Sequence, residues 1–208
     1  SHAFAAALAA RIDTARRNDD VSIPPLPGSD TVYLTVVDRD RRAVSFINSL
    51  YSGFGSKVVA PHSGITLQNR GGCFSLVPGH PNEFGPGKRP MHTIIPAMAM
   101  ENGRAAVSFG VMGGAFQPMG HAHAFMNFAD DRMDPQEVVD QPRLFWDADG
   151  AVEVESGISA AVRNGLEKRG HKVRSGGPFG GGQMIVIGED GFLHAGSDPR
   201  KDGLAQGW

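Results

Sequence analysis

Three observations make this an α+β chain. β-Branched and aromatic runs at Thr31 to Val37 and Ala43 to Leu50 flank the charged turn Asp38 to Arg42, a hairpin pattern. A second pair, His92 to Met100 and Ala105 to Phe109, flanks Asn102-Gly103, a dipeptide that favours tight hairpin turns. Helical patterns alternate with these strands in blocks, as expected for helix layers laid over sheets.

In chain order, Phe4, Leu8 and Ile12 recur at fours among alanines, with Arg16 and Arg17 near the end where the helix dipole favours cations. This reads as an opening helix that rests on a neighbour through one narrow apolar stripe. Asn18 to Pro27 is polar and proline-bearing, a linker with little regular structure. After the first hairpin, residues 51 to 90 are rich in Gly, Pro, Ser and His, and irregular segments of that length in compact chains tend to be functional or disordered. The second hairpin breaks at Gly110, Gly113 and Gly114. A helix then begins near Gln117-Pro118, with Ala122, Phe125, Met126 and Ala129 as its apolar face. A short helix opens at Asp134-Pro135 with Asp134 as cap and ends before Pro142, and another runs from Ser159 to Arg169 and stops at Gly170. Gln183 to Ile187 and Phe192 to Ala195 are strands around Asp190-Gly191. There is no internal repeat.

Bulk properties narrow the function classes. At 208 residues the chain can bury a sizeable core, and 28 glycines with 14 prolines fall short of a low-complexity composition. A net charge of -2 gives no reason to expect nucleic acid or an acidic membrane as partner, and no apolar run is long enough to span a bilayer. The single cysteine, Cys73, excludes an internal disulfide framework and leaves the redox compartment open. No cofactor or metal is expected. His121 and His123 are two apart on a helix and do not share a face, and no nearby Cys or carboxylate completes a ligand set. Gly176 to Gly182 lacks the lysine and following Ser/Thr of a phosphate-binding loop and reads as a flexible loop near the site. Arg39, Arg41 and Arg42, interrupted by Asp40, read as a solvated turn.

Thr31 is the candidate nucleophile, although a threonine that opens a strand is commonly there for its β propensity alone. A buried sheet would hold the first residue of its strand while the linker ahead stays accessible, which suits a cut between Asp30 and Thr31. A hydroxyl is a poor nucleophile at neutral pH, but an N-terminal threonine brings its own base, since a free α-amino group has a pKa of about 7.7 to 8.0.

Several separate motifs in one order support this. Thr31-Val-Tyr-Leu-Thr-Val-Val-Asp38, Ser45-Phe-Ile-Asn-Ser-Leu50, Phe54-Gly-Ser56, Gly64-Ile-Thr-Leu-Gln-Asn69, Pro86-Gly-Lys-Arg-Pro90, Gly113-Gly114 and Ser197-Asp-Pro-Arg200 resemble the small subunit of γ-glutamyltranspeptidases, from about Asp30 to Trp208. The resemblance implies an N-terminal nucleophile hydrolase, an αββα sandwich of which this chain holds part. Residues 1–30 would be the tail of the large subunit with the cleavage linker, and residues 31–208 the catalytic small subunit. The implied partners are that large subunit and a small-molecule amide, with room for a higher oligomer of the heterodimer.

Carried over position by position, the resemblance makes Thr31 the nucleophile, first on the carbonyl of Asp30 and then on substrate. Ser49 becomes a second hydroxyl that tunes it, and Gly113 and Gly114 become the backbone donors of an oxyanion hole. Residues 51 to 90 would line and cover the pocket. The charges of Asp198-Pro-Arg200 are expected to fix structure.

The substrate-binding positions depart from the family pattern. Tyr51 replaces an asparagine that contacts the glutamyl group, and Arg70 replaces a neutral residue. Cys73 replaces an aspartate that pairs with the donor α-amino group, a charge-assisted contact of roughly 1.5 to 3 kcal/mol. His92-Thr93 replaces a serine pair that holds the α-carboxylate. The resemblance favours a γ-glutamyl amide such as glutathione as donor, whereas the departures favour an acyl group with a carboxylate and no ammonium, such as glutaryl. The start at Asp30-Thr-Val-Tyr33 resembles the branch of the family with cephalosporin acylases. A non-catalytic, uncleaved fragment is the remaining alternative.

Overall fold

The computed structural model describes residues 1–19, 31–146 and 149–208. In chain order its elements are α1 (His2–Ala9), β1 (Thr31–Val37), β2 (Ala43–Ser49), β3 (Ala97–Glu101), β4 (Arg104–Met112), α2 (Gln117–Ala129), α3 (Pro135–Asp140), β5 (Leu144–Trp146), β6 (Val152–Val154), α4 (Ala160–Lys168), β7 (Val173–Ser175), β8 (Gly181–Ile187) and β9 (Leu193–Ser197). They fall into two compact units, Leu26–Asp140 with Gly180–Trp208, and Ser1–Pro25 with Gln141–Phe179. Among the described residues no helix is long and apolar enough to cross a membrane.

The first of these units is built on the two-residue period of β4. Its odd residues point to α2: Phe109 stacks on Phe125 at 5.9 Å and lies 5.6 Å from the His121 ring. Its even residues point to the β1–β2 ribbon, with Thr35 donating to Ser108 Oγ at 2.6 Å and Tyr33 lying over Gly110. Met184 of β8 and Gly196 of β9 continue the helix-facing surface in register with Phe109, and Gly196 lies against the Pro135 backbone at the start of α3. A two-stranded antiparallel ribbon therefore faces a four-stranded antiparallel sheet, ordered β3-β4-β8-β9, whose other face carries α2 and α3. Asp134 caps α3 by accepting from the amides of Gln136 and Glu137, while Glu137 accepts from the Asp134 amide, a reciprocal capping box.

Four expectations are corrected here. The chain does not break at Gly110, which lies inside β4, and a methyl there would sit 2.5 Å from the Tyr33 ring. β3 begins at Ala97 and not at His92, because Pro96 has no amide to give a ladder. The buried stripe of α2 is Gln117, Gly120, His121, Ala124 and Asn127, while Ala122, Phe125, Met126 and Ala129 are exposed. Gly120 explains the rotation, since a side chain there would run into Val111 and Phe116. The opening helix ends at Ala9, short of Ile12 and the arginines, and Phe4, Leu8 and Ile12 are exposed.

The other unit holds α1, α4 and a three-stranded sheet β5-β6-β7 in which β6 and β7 run parallel. Buried Glu155 accepts from the amides of Arg143 and Phe179, both at 2.9 Å, and the Arg163 guanidinium donates to the Glu155 carbonyl. Ser159 caps α4, and Gly170, at φ +90°, closes it as expected.

His121 gives this fold a pH dependence. Nε2 accepts from the Val111 amide at 3.2 Å, so the proton sits on Nδ1 and is donated to the Gln117 carbonyl at 2.8 Å. Burial pushes its pKa below the ordinary 6.5. The unfolded chain therefore takes up a proton that the folded chain resists, and stability falls as pH drops below about 6.5 toward the folded value. The urea midpoint is expected to be lower at pH 5.5 than at pH 7.5, and His121→Gln to flatten that difference. An equal slope in the variant would place the titration elsewhere.

Candidate active site

Thr31 opens β1, and the antiparallel register sets it opposite Ser49 at the end of β2. Residues opposite one another share a face, so both side chains lie on the surface that carries Tyr33 and Ile47 into the core. Those two pack with Met112, the last residue of β4, and Gly113 follows at once. The ends of β1, β2 and β4 thus converge on one cavity of about 440 Å³, which Thr31, Asn48, Ser49, Leu50, Gly113 and Lys201 help to line.

Gly113 has φ +132° and ψ 32°, a conformation closed to other residues, and a methyl on it would lie 2.7 Å from the Gly180 Cα. Gly114, at φ +58°, opens the short turn that leads into α2. Its carbonyl accepts from Gln117 Nε2 at 3.3 Å, and the same nitrogen donates to the Thr93 carbonyl at 2.7 Å. Gln117 is 2% exposed, and among the described residues its Oε1 has no hydrogen-bond partner. No sequence pattern marks this tether, since a glutamine beside a proline reads only as a helix start.

Four of the expected substrate-binding residues form one group behind the Ser49 wall. The Tyr51 amide donates to Ser49 Oγ at 2.9 Å. Arg70 is buried, donates through Nε to Thr93 Oγ1 at 2.9 Å and through Nη2 to the Ser49 carbonyl at 3.4 Å, and lies 5.9 Å from the centre of the Tyr51 ring. Among the described residues no carboxylate pairs with it. The Tyr51 phenol is pushed up to about 12, first by its hydrogen bond to Cys73, then by burial and by negative charge on Cys73, with Arg70 acting in the opposite sense. It therefore stays a neutral donor. Tyr51 also holds φ +81°, a left-handed conformation that costs a non-glycine residue of order 1–3 kcal/mol. His92, the residue before Thr93, is exposed. Asp30, the residue expected before the cut, lies outside the described residues, as does most of the linker.

Asp198 is 1% exposed and accepts from the Gly182 amide at 2.8 Å and from the Arg200 amide and guanidinium, while Arg200 also donates to the Val139 carbonyl. These bonds tie the C-terminal segment to β8 and α3. Lys201, the next residue, lines the cavity and was not anticipated. Its only sequence signal was its place directly after Ser197-Asp-Pro-Arg200.

The chain is similar over most of its length to several known proteins. The chain is 40% identical over 189 residues to the glutathione hydrolase-like YwrD proenzyme of Bacillus subtilis, with 86% of the chain and 36% of that protein covered. It is 37% identical over 203 residues to the oxamate amidohydrolase proenzyme of Klebsiella pneumoniae, covering 91% of the chain and 38% of the relative. The cephalosporin acylase from Bacillus halodurans superposes with a TM-score of 0.87 at 41% identity, over 100% of this chain and 38% of that one. The chain thus spans well under half the length of these relatives. Its fold is α+β and is shared with N-terminal nucleophile hydrolases. The family model described as gamma-glutamyltranspeptidase matches residues 1–208, and the chain belongs to the γ-glutamyltranspeptidase family.

Proposed function

We propose that this chain supplies the nucleophile of an amide hydrolase or acyltransferase acting on γ-glutamyl-type amides, after a cut between Asp30 and Thr31. The observation that carries this reading is the shared cavity of Thr31, Ser49 and Gly113. In the cut protein, the Thr31 amine takes the hydroxyl proton and Oγ1 attacks the amide carbonyl. Backbone amides at Gly113 and Gly114 face the developing oxyanion, the leaving amine departs with a proton, and water or an acceptor amine resolves the acyl ester. Residues 1–30 then belong to the large subunit and 31–208 to the catalytic one. The large subunit is the expected partner, and the outward face of β1 and β2 suits one: Val32, Leu34, Val36, Val44 and Phe46 are all exposed there.

A second reading concerns the donor. Cys73 stands where the family pairs an aspartate with the donor ammonium, and none of the described residues lining the cavity is acidic. This favours an acyl group bearing a carboxylate alone, a glutaryl or cephalosporin-type donor. Oxamate, for which the Klebsiella relative is named, has the same character, a carboxylate without an α-ammonium. The test uses the chain assembled with its large subunit. Mass spectrometry is expected to find the cut before Thr31, and kcat/KM for glutaryl-p-nitroanilide to exceed that for the γ-glutamyl anilide by on the order of tenfold or more. Preference for the γ-glutamyl anilide would reject the acylase reading, and release from neither would reject the enzymatic one.

A further inference from the structure

We propose that Lys201 is a specificity-determining residue, the cation that receives the carboxylate of the acyl donor. This rests on the reading of the cavity as an acyl-transfer site and names what that site selects. Among the described residues that line the cavity, Lys201 is the one that is charged and none is acidic. The other walls are hydroxyl, amide, aliphatic and glycine surfaces, which have no preference for an anion of this size.

The lysine is held in place from its backbone. Its amide donates to the Asp198 carbonyl at 3.1 Å, and Asp198 is fixed in turn by the Gly182 amide and by Arg200. The aliphatic stem lies across Gly181, where the missing side chain leaves it room. Gly181 pairs with Met112 in the sheet, which sets the stem beside the residue that precedes Gly113. Among the described residues no carboxylate pairs with the Lys201 ammonium. An exposed ammonium on a stem packed along apolar surface is free to meet an incoming anion. Arg70, the other cation of the region, is occupied by Thr93 and the Ser49 carbonyl and does not line the cavity.

A single carboxylate contact of this kind is worth about 10- to 100-fold in binding. On the assembled, cut enzyme, Lys201→Met is expected to lower kcat/KM for glutaryl-p-nitroanilide by that factor, mainly through KM. The neutral butyryl-p-nitroanilide should change less than about twofold, and Lys201→Arg should restore most of the loss. KM for the glutaryl donor should rise with ionic strength in the wild type and not in Lys201→Met, because the contact is open to solvent. Equal losses on glutaryl and butyryl donors would overturn the assignment. So would a loss seen only when the leaving aniline, rather than the acyl group, carries a carboxylate. Glutarate binding measured by calorimetry reads the anion site without turnover. Tighter binding to the wild type than to Lys201→Met in a protein that cleaves no anilide would reject the nucleophile and keep the lysine, whereas equal glutarate affinity in an active enzyme would reject the lysine alone.

Discussion

Replacing Thr31 by alanine is expected to leave the precursor uncut and to abolish turnover of every donor, a loss of about four orders of magnitude or more in kcat. Both effects follow from one atom, because the hydroxyl that opens the peptide before it is the hydroxyl that later opens the substrate amide. The fold should survive. Thr31 is only half-buried at the strand end, and β1 is secured by Tyr33, whose phenol shares a 2.7 Å hydrogen bond with Ser45, and by Thr35 bonded to Ser108. Thr31→Ser keeps the hydroxyl and should still be cut, more slowly, because it lacks the methyl that restricts χ1. In the cut wild type the base is the α-amino group, and only its neutral form can take the proton. kcat/KM should therefore rise as pH is raised through about 7.7 to 8.0 and fall away on the acid side. Intact-mass spectrometry reads the cut and anilide release the turnover. A cut Thr31→Ala protein, or one that retains turnover, would assign the nucleophile to another residue.

The parts of this arrangement that were legible in the sequence are those encoded locally. The β1–β2 hairpin is written in its β-branched and aromatic runs and charged turn, and the cap at Asp134 and the stop at Gly170 are residues whose local preferences mark helix ends. What was misread depends on partners distant in the chain. Gly110 looked like a breaker because its reason, the Tyr33 ring, lies 77 positions away on another sheet. The apolar residues of α2 suggest a buried face of their own, yet Gly120 and His121 face the sheet because only a bare backbone lets the helix approach Val111. β5, β6 and β7 have three residues each, too few to show a period. In the cavity, Thr31, Ser49 and Gly113 came from matched motifs. Lys201 and Gln117 could not, since a lysine near a C-terminus and a glutamine in a first helical turn have no spacing that marks them.

Gly113→Ala is the second substitution expected to have a large effect, and it separates conformation from chemistry. At φ +132° an alanine is strained in any surroundings, and here its methyl would also lie 2.7 Å from the Gly180 Cα, which is backbone and cannot swing aside. Relief requires rotating the 113–114 peptide or displacing the chain at Gly180, and either moves the amides proposed to meet the oxyanion. Losing one such donor costs about 10² to 10³ in kcat, so kcat for the glutaryl or γ-glutamyl anilide is expected to fall by that factor with a much smaller change in KM. Gly64→Ala is the matched control: Gly64 also has a positive φ, +69°, but nothing lies within 4 Å of a methyl placed there. It should cost about 1–2 kcal/mol of stability through the same backbone strain and leave turnover intact. A folded Gly113→Ala protein with wild-type kcat would remove these amides from the reaction. If instead the variant is unfolded by circular dichroism, Gly180→Ala offers a second route, since its methyl would strike the Met112 carbonyl and perturb the same peptide from the other side.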